Sequence, residues 1–213
     1  MLRGKALDYG ITLSQHHLDL FYLYIKELIE WNRRINLTGL SESGRIIDEL
    51  FLDSLIPAPF IPSKGRMLDV GSGAGFPGIV IKVYYPEIQT HLIEANSKKT
   101  SFLKQIIRLL KLNEIKVIND RIEKNNNDLY HEGYQIITSR AMAGLDKIIK
   151  WCAPSLSPDG ILVLFLGSNY ERDLDKNRTF LEAHSLVVKR LVTYSLPGKV
   201  SERAIAVIKK SLS

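Results

Sequence analysis

Residues 66–82 read Arg66-Met67-Leu68-Asp69-Val70-Gly71-Ser72-Gly73-Ala74-Gly75-Phe76-Pro77-Gly78-Ile79-Val80-Ile81-Lys82. The apolar run Met67–Val70, interrupted only by Asp69, predicts a buried strand that stops at Gly71. Glycines then alternate at 71, 73 and 75, and Pro77-Gly78 leads into a helical pattern through Ile79, Ile81 and Val83. Strand, glycine turn and helix together make the first crossover of a nucleotide-binding α/β fold. Glycine suits such a turn because it takes positive φ and leaves no Cβ between backbone and ligand. Pro77 is expected in the first helical turn, where its missing N–H removes only an orphan donor.

The frame of the turn separates two ligands. Gly73-Ala74-Gly75-Phe76-Pro77-Gly78 matches the dinucleotide pattern formally, but the tight-turn glycine should follow the strand directly, and that is Gly71. In the Gly71 frame the third glycine position falls on Phe76, and the dinucleotide pattern fails. Asp69 adds a carboxylate near where a pyrophosphate would lie. It would repel phosphate, yet can help hold the cationic amino-acid end of S-adenosylmethionine, directly or through water. These features favour the methyl donor over NAD.

Outward from the loop, apolar positions Leu18, Phe21, Tyr22, Ile25, Leu28 and Ile29 predict a helix over 14–31, with Ser14 as N-cap. A second helix is expected over 43–56, ending before Pro57, Pro59 and Pro62. The prolines place a boundary between an N-terminal helical extension, residues 1–62, and a domain of residues 63–213. The extension is too short for its own core and should pack on that domain. Further strands are expected at 90–94, 116–119, 134–138, 160–166, 186–194 and 204–209, with helices at 97–112 and 145–152. Residues 125–128 read as a polar loop and 168–182 as a charged, mobile stretch. The result is an α/β fold with a seven-stranded, mostly parallel sheet whose last two strands form a hairpin. That ending fits the Rossmann-like class I methyltransferase sheet rather than a dehydrogenase.

Glu94 closes the second strand, where a carboxylate can accept from both ribose hydroxyls of an adenosine. Asp120-Arg121-Ile122-Glu123 follows the third strand, with Ile122 placed to flank an adenine. Ser139-Arg140 ends the fourth strand beside the first; Arg140 can fix a guanine O6 or a phosphate. The Asn/Asp-Pro-Pro-Tyr/Phe motif of enzymes that methylate exocyclic amines is not there. The single cysteine, Cys152, beside Trp151 in a helix, reads as core packing rather than a cytosine-C5 nucleophile. Acceptors needing neither base nor covalent step remain, guanine N7 among them, for which positioning suffices.

The 213 residues carry 29 Lys+Arg against 23 Asp+Glu, a net charge of +6. Residues 63–213 hold 23 basic and 15 acidic side chains, a balance of +8, so a polyanion should meet this domain first. The 97–112 helix presents Lys98, Lys99, Lys104, Arg108 and Lys111 on its outer face, either a phosphate contact surface or a solvated face. The five histidines have no metal-ligand spacing, one cysteine excludes a disulfide framework, and no apolar run reaches membrane-spanning length. The first residues lack the apolar core of a signal peptide. A cytoplasmic monomer without metal or membrane contact is expected.

Taken together these stretches resemble the glucose-inhibited division protein B family of small-subunit rRNA guanine-N7 methyltransferases. The resemblance rests on Trp31-Asn32…Ile35-Asn36-Leu37-Thr38, Leu52-Asp53-Ser54, 69–78, Lys98/Lys99…Phe102-Leu103, Ser139-Arg140-Ala141 and Arg203…Val207-Ile208, in the family's order across nearly the whole chain. It implies S-adenosylmethionine as donor and guanine-527 of 16S ribosomal RNA, free or in a small-subunit particle, as acceptor. By match, Asp69, Gly71, Gly73, Gly75, Phe76 and Glu94 would touch the cofactor, with Ile122 and Glu123 at the adenine. Arg140 would bind cofactor or RNA, and Arg203 would stand at the active-site mouth, the two making the catalytic pair. Three places depart from the family. Glu49 and Leu50 replace a basic residue and a histidine, Leu166 replaces a lysine, and Gln135 replaces an acid. These bear on RNA contacts rather than on the cofactor site. Two alternatives follow: a cofactor-binding RNA module with altered or lost activity, and an NAD-dependent oxidoreductase.

Overall fold

Seven strands, β1 (Gly65–Val70), β2 (Ile88–Ile93), β3 (Ile115–Ile118), β4 (Tyr134–Arg140), β5 (Leu156–Leu166), β6 (Leu186–Ser195) and β7 (Glu202–Lys210), form one sheet. Their order is β3-β2-β1-β4-β5-β7-β6. Strands β1 to β5 run parallel, while β7 enters antiparallel between β5 and β6. The computed structural model describes residues 1–124, 133–140 and 144–211. The polar loop expected at 125–128, His131, Ala141 and Met142 lie outside them.

The order reverses between β1 and β4, which places a crevice at their carboxyl ends, where open α/β sheets bind ligands. Alternation along each strand divides the core into two layers. Met67, Ile136, Val163 and Ile205 face one buried cluster; Leu68, Val70, Ile137, Leu162 and Leu164 face the other. The first cluster takes the N-terminal helices α1 (Leu2–Leu7) and α2 (Gln15–Asn32), the helical run α3 (residues 43–55), α4 (Gly78–Tyr84) and α5 (Ser97–Leu109). The second takes α6 (Leu145–Cys152) and α8 (Arg178–Ala183), which follows α7 (Tyr170–Lys176).

Ser14 caps α2 as its sequence position suggests, its hydroxyl accepting from His17 N–H at 3.1 Å. The α3 run contains a π-helical segment, Ile47–Leu52, where a plain α-helix was expected. Residues 168–182 are not simply a mobile stretch, since most of them form α7 and α8. Pro77 stands one position earlier than expected, at the N-cap of α4 rather than inside it, and its bond to Phe76 is cis. α1 has no counterpart among the expected elements.

Candidate active site

The glycine loop takes left-handed backbone at each alternate position: φ is 71° at Gly71, 57° at Gly73 and 94° at Gly75. The loop is held from four sides. Gly71 N–H and Ser72 N–H donate to the Ile93 carbonyl at 2.9 and 3.1 Å, joining it to the end of β2. Glu94 accepts from Gly73 N–H at 2.9 Å through Oε2 and from Asn96 N–H at 2.8 Å through Oε1. Asp69 lies beneath, fully buried, accepting from Thr138 Oγ1 at 2.7 Å and Gly78 N–H at 3.2 Å. Burial pushes its carboxyl up to about 6, against the opposing pull of those bonds.

The fourth support comes from α2 and α3. Tyr24 on α2 donates its hydroxyl to the Ala74 carbonyl, and Phe51 on α3 meets Phe76 edge-on at 5.1 Å. Such ring pairs contribute about 0.5–1.5 kcal/mol each beyond their buried area. No local sequence pattern marks Tyr24, since its partner stands 50 residues away.

Above the loop opens a cleft of about 510 Å³. Gly71, Gly73, Phe76, Glu94, Ile122, Glu123 and Arg140, all expected at the cofactor, line it together. Asp69 and Gly75 do not; the first faces the N-terminus of α4, and the second abuts Tyr24 and Ile79. Leu37, Thr38, Leu50, Lys99 and Trp151 also line the wall, and the expected cofactor set contained none of them. Leu37 and Thr38 are brought there by Asn32, whose Oδ1 accepts from both backbone N–H groups at 2.9 Å. The Trp31-Asn32…Leu37-Thr38 spacing was the signal for that turn.

The residues fit an adenosine-type ligand. A Cβ placed on Gly73 would meet nothing nearer than 3.8 Å, so the space over the loop is open. Glu94 retains lone pairs for ribose hydroxyls. Ile122, itself only 3% exposed, offers an apolar wall for a ring. Cys152 is fully buried, and burial pushes its thiol up to about 12, which leaves it no nucleophilic role.

A second cleft of about 550 Å³ meets the first at Leu50 and Arg140, which line both. Its wall includes Glu49, Asp53, Leu166, Tyr194 and Arg203. Of the four residues that the resemblance reads as departing from the family, Glu49, Leu50 and Leu166 share one cleft. The fourth, Gln135, accepts from Arg66 N–H at 2.7 Å near the amino end of β4, away from both clefts. Glu49 draws cations to itself: Arg45 at 2.8 Å, Lys199 at 3.2 Å and Arg203 at 4.0 Å. The Arg45 hydrogen bond, with help from Lys199, holds its carboxyl below the usual carboxylate range. The guanidinium of Arg140 lies 5.7 Å over the Phe76 ring, so this one side chain borders loop and second cleft alike. Lys98, Lys104, Arg108 and Lys111 are exposed, whereas Lys99 turns into the first cleft.

Among the described residues, no helix is long and apolar enough to cross a membrane, and no group of three or more His, Cys, Asp or Glu could hold a metal ion. The family model for rRNA small subunit methyltransferase G, GidB, matches residues 17–203. Ribosomal RNA small subunit methyltransferase G of Syntrophus aciditrophicus (strain SB) is 35% identical, the alignment spanning 100% of this chain and 90% of that protein. Its counterpart in Acetivibrio thermocellus is 33% identical, over 99% and 87%. Among solved structures, the ribosomal protein L11 methylase from Lactobacillus delbrueckii subsp. bulgaricus superposes with a TM-score of 0.60 at 12% identity, over 81% of each chain. M. jannaschii TYW2 in complex with AdoMet gives 0.58 at 14%, over 74% of this chain and 73% of that one. The architecture is the Rossmann-like class I methyltransferase fold.

Proposed function

Since the chain belongs to the rRNA small subunit methyltransferase G family, we propose that it transfers the methyl group of S-adenosylmethionine to N7 of a guanine in 16S ribosomal RNA, guanine-527 by the family resemblance. The observation that carries this reading is the meeting of the two clefts at Arg140 and Leu50. One cleft has a carboxylate and glycine loop suited to an adenosine; the other has arginines suited to nucleic acid. When bound, S-adenosylmethionine supplies an electrophilic methyl group that a free guanine N7 lone pair can take without losing a proton.

The protein's work is then positioning. Glu94 receives the ribose, Gly73 leaves room over the loop, and Ile122 and Glu123 border the adenine. Arg140 and Arg203 orient the guanine or its phosphate, with no metal and no covalent intermediate. Because no proton leaves N7, no general base is required, and neither cleft needs a histidine. Family membership sets the oxidoreductase alternative aside. The basic outer face of α5 supplies phosphate contacts whose strength falls with salt. The acceptor is the RNA or its ribosomal particle, met by a monomer in the cytoplasm.

The test is transfer of labelled methyl from S-adenosylmethionine to small-subunit RNA from a strain lacking the enzyme, followed by chain cleavage at N7-methylguanine. A single cleavage position at the expected guanine supports the reading. Cofactor binding without transfer to either RNA or particle refutes it.

A further inference from the structure

Asp53 is 1% exposed and stands at the C-cap of the π segment of α3, yet three side chains carried by the sheet converge on it. Its Oδ1 accepts from the Tyr194 hydroxyl at 2.7 Å and from Arg203 Nη1 at 3.2 Å, and its Oδ2 accepts from Arg140 Nη1 at 3.2 Å. The donors come from β6, β7 and β4, and Tyr194 and Arg203 are register partners in the hairpin. We propose that Asp53 is the positioning residue of the second cleft, a buried carboxylate that fixes where the guanidinium groups of Arg140 and Arg203 point. The proposal deepens the methyltransferase reading and rests on it for the identity of the acceptor.

Three physical points carry it. A guanidinium has five N–H donors in a planar fork, so committing one Nη1 to Asp53 leaves others for a base edge or phosphate. The side chains of Arg140 and Arg203 keep 21% and 30% exposure and line the cleft, while the carboxylate that aims them is out of reach of solvent. An arginine on a flexible stem must otherwise be ordered at the moment of binding; one already clamped has little freedom left to lose.

Charge gives the second point. Arg140 also borders the first cleft, where a sulfonium would sit, and with Arg203 sharing its carboxylate partner, uncompensated guanidiniums near that cleft would repel the cation. Asp53 neutralises one of them, and Glu49, 4.0 Å from Arg203 and 3.2 Å from Lys199, adds a second negative charge at the mouth. The third point is placement. Asp53 follows the π segment Ile47–Leu52, and Glu49, Leu50 and Asp53 all reach the same cleft. π insertions gather at functional sites, where they re-aim side chains within a helix.

The test uses Asp53→Asn, Arg203→Ala and the double variant, each measured for S-adenosylmethionine affinity by calorimetry and for kcat and KM with small-subunit RNA. D53N should lower kcat/KM for RNA by at least about tenfold and raise the cofactor dissociation constant by a smaller factor, since Arg140 is left uncompensated beside the first cleft. Because part of Asp53's effect runs through Arg203 and the rest through Arg140, adding D53N to R203A should cost less than D53N alone but still cost something. Additive losses would overturn the proposal, as would a D53N enzyme with wild-type kinetics. A second measurement needs no RNA: the rates at which phenylglyoxal modifies Arg140 and Arg203, read by peptide mass spectrometry. Both should rise severalfold in D53N, and unchanged rates would refute the clamp. Should D53N not fold, Asp53→Ser, smaller and still able to bond Tyr194, takes its place in both measurements. If the wild-type protein methylates no RNA, the functional reading falls, and the arginine rates alone decide on Asp53.

Discussion

Tyr24 lies face to face with Phe76, ring centroids 5.3 Å apart and planes 6° from parallel, while its hydroxyl donates to the Ala74 carbonyl in the same loop. An N-terminal helix thus shapes the loop that the sequence reading assigns to the cofactor. Tyr24→Phe keeps the ring and loses the hydroxyl, leaving a buried carbonyl without that donor; the expected cost is about 1–3 kcal/mol of stability. S-adenosylmethionine affinity should fall severalfold at the same time, because the loop loses a restraint. Urea denaturation and calorimetry on the variant check both. Wild-type affinity would mean that the rest of the loop's anchors suffice.

Gly73 and Gly75 separate two roles of glycine in one turn. Both have positive φ, 57° and 94°, but a Cβ on Gly73 points into open space, whereas one on Gly75 would run into the Tyr24 hydroxyl and Ile79. Gly73→Ala should therefore fold with a loss of about 1 kcal/mol from backbone strain and lose cofactor affinity strongly, its methyl group standing in the cleft. Gly75→Ala should lose stability well beyond that, since Tyr24 must also move. Thermal midpoints and binding constants of the two variants should rank in opposite senses. Equal ranking would show that the cleft does not need the space over Gly73.

Much of this arrangement was legible in the residues themselves. Period and punctuation located the seven strands to within a few residues, and the Gly71 frame named the loop. What escaped was long-range or short. Tyr24 and Asp53 act through partners 50 to 150 residues away, and no local pattern announces such a contact. α1 spans six residues, too few for a helical period to show. Asp69 is instructive in another way. Strand alternation puts it on the same side as Met67, towards α4, so its orientation away from the first cleft was implicit in the period of two.

Glu94 has a double duty that predicts a specific failure. Its two oxygens already accept from Gly73 N–H and Asn96 N–H, and the ribose role asks the same carboxylate for further bonds. Glu94→Gln must turn an amide N–H₂ towards one of those two backbone donors. Loss of a hydrogen bond to a charged group is worth about 1.5–3 kcal/mol, so the S-adenosylmethionine dissociation constant should rise roughly 10- to 100-fold. At saturating cofactor kcat should change much less, since Glu94 lies in the cleft wall away from Arg203. Isothermal titration and steady-state kinetics measure the two separately. An unchanged dissociation constant would remove Glu94 from the ribose site.

Asp69 yields a pH dependence whose sign follows from its burial. The folded carboxyl is raised to about 6, whereas an aspartate in the unfolded chain titrates near about 4. Between those values the folded protein holds a proton that the unfolded chain has released, so stability falls as pH rises through the window. The contribution is complete below about pH 4 and lost above about pH 6. Asp69→Asn removes the titration and preserves the side-chain volume, its carbonyl accepting from Gly78 N–H and its amide donating to Thr138 Oγ1. Relative to wild type the variant should therefore gain about 1–3 kcal/mol between about pH 4 and pH 7, measured as the difference in urea unfolding free energy. Taking the difference cancels the other carboxylates, which titrate alike in both proteins. A difference that stays constant across the range would place the Asp69 carboxyl at its ordinary value, and the buried bonds from Thr138 and Gly78 would then outweigh its desolvation.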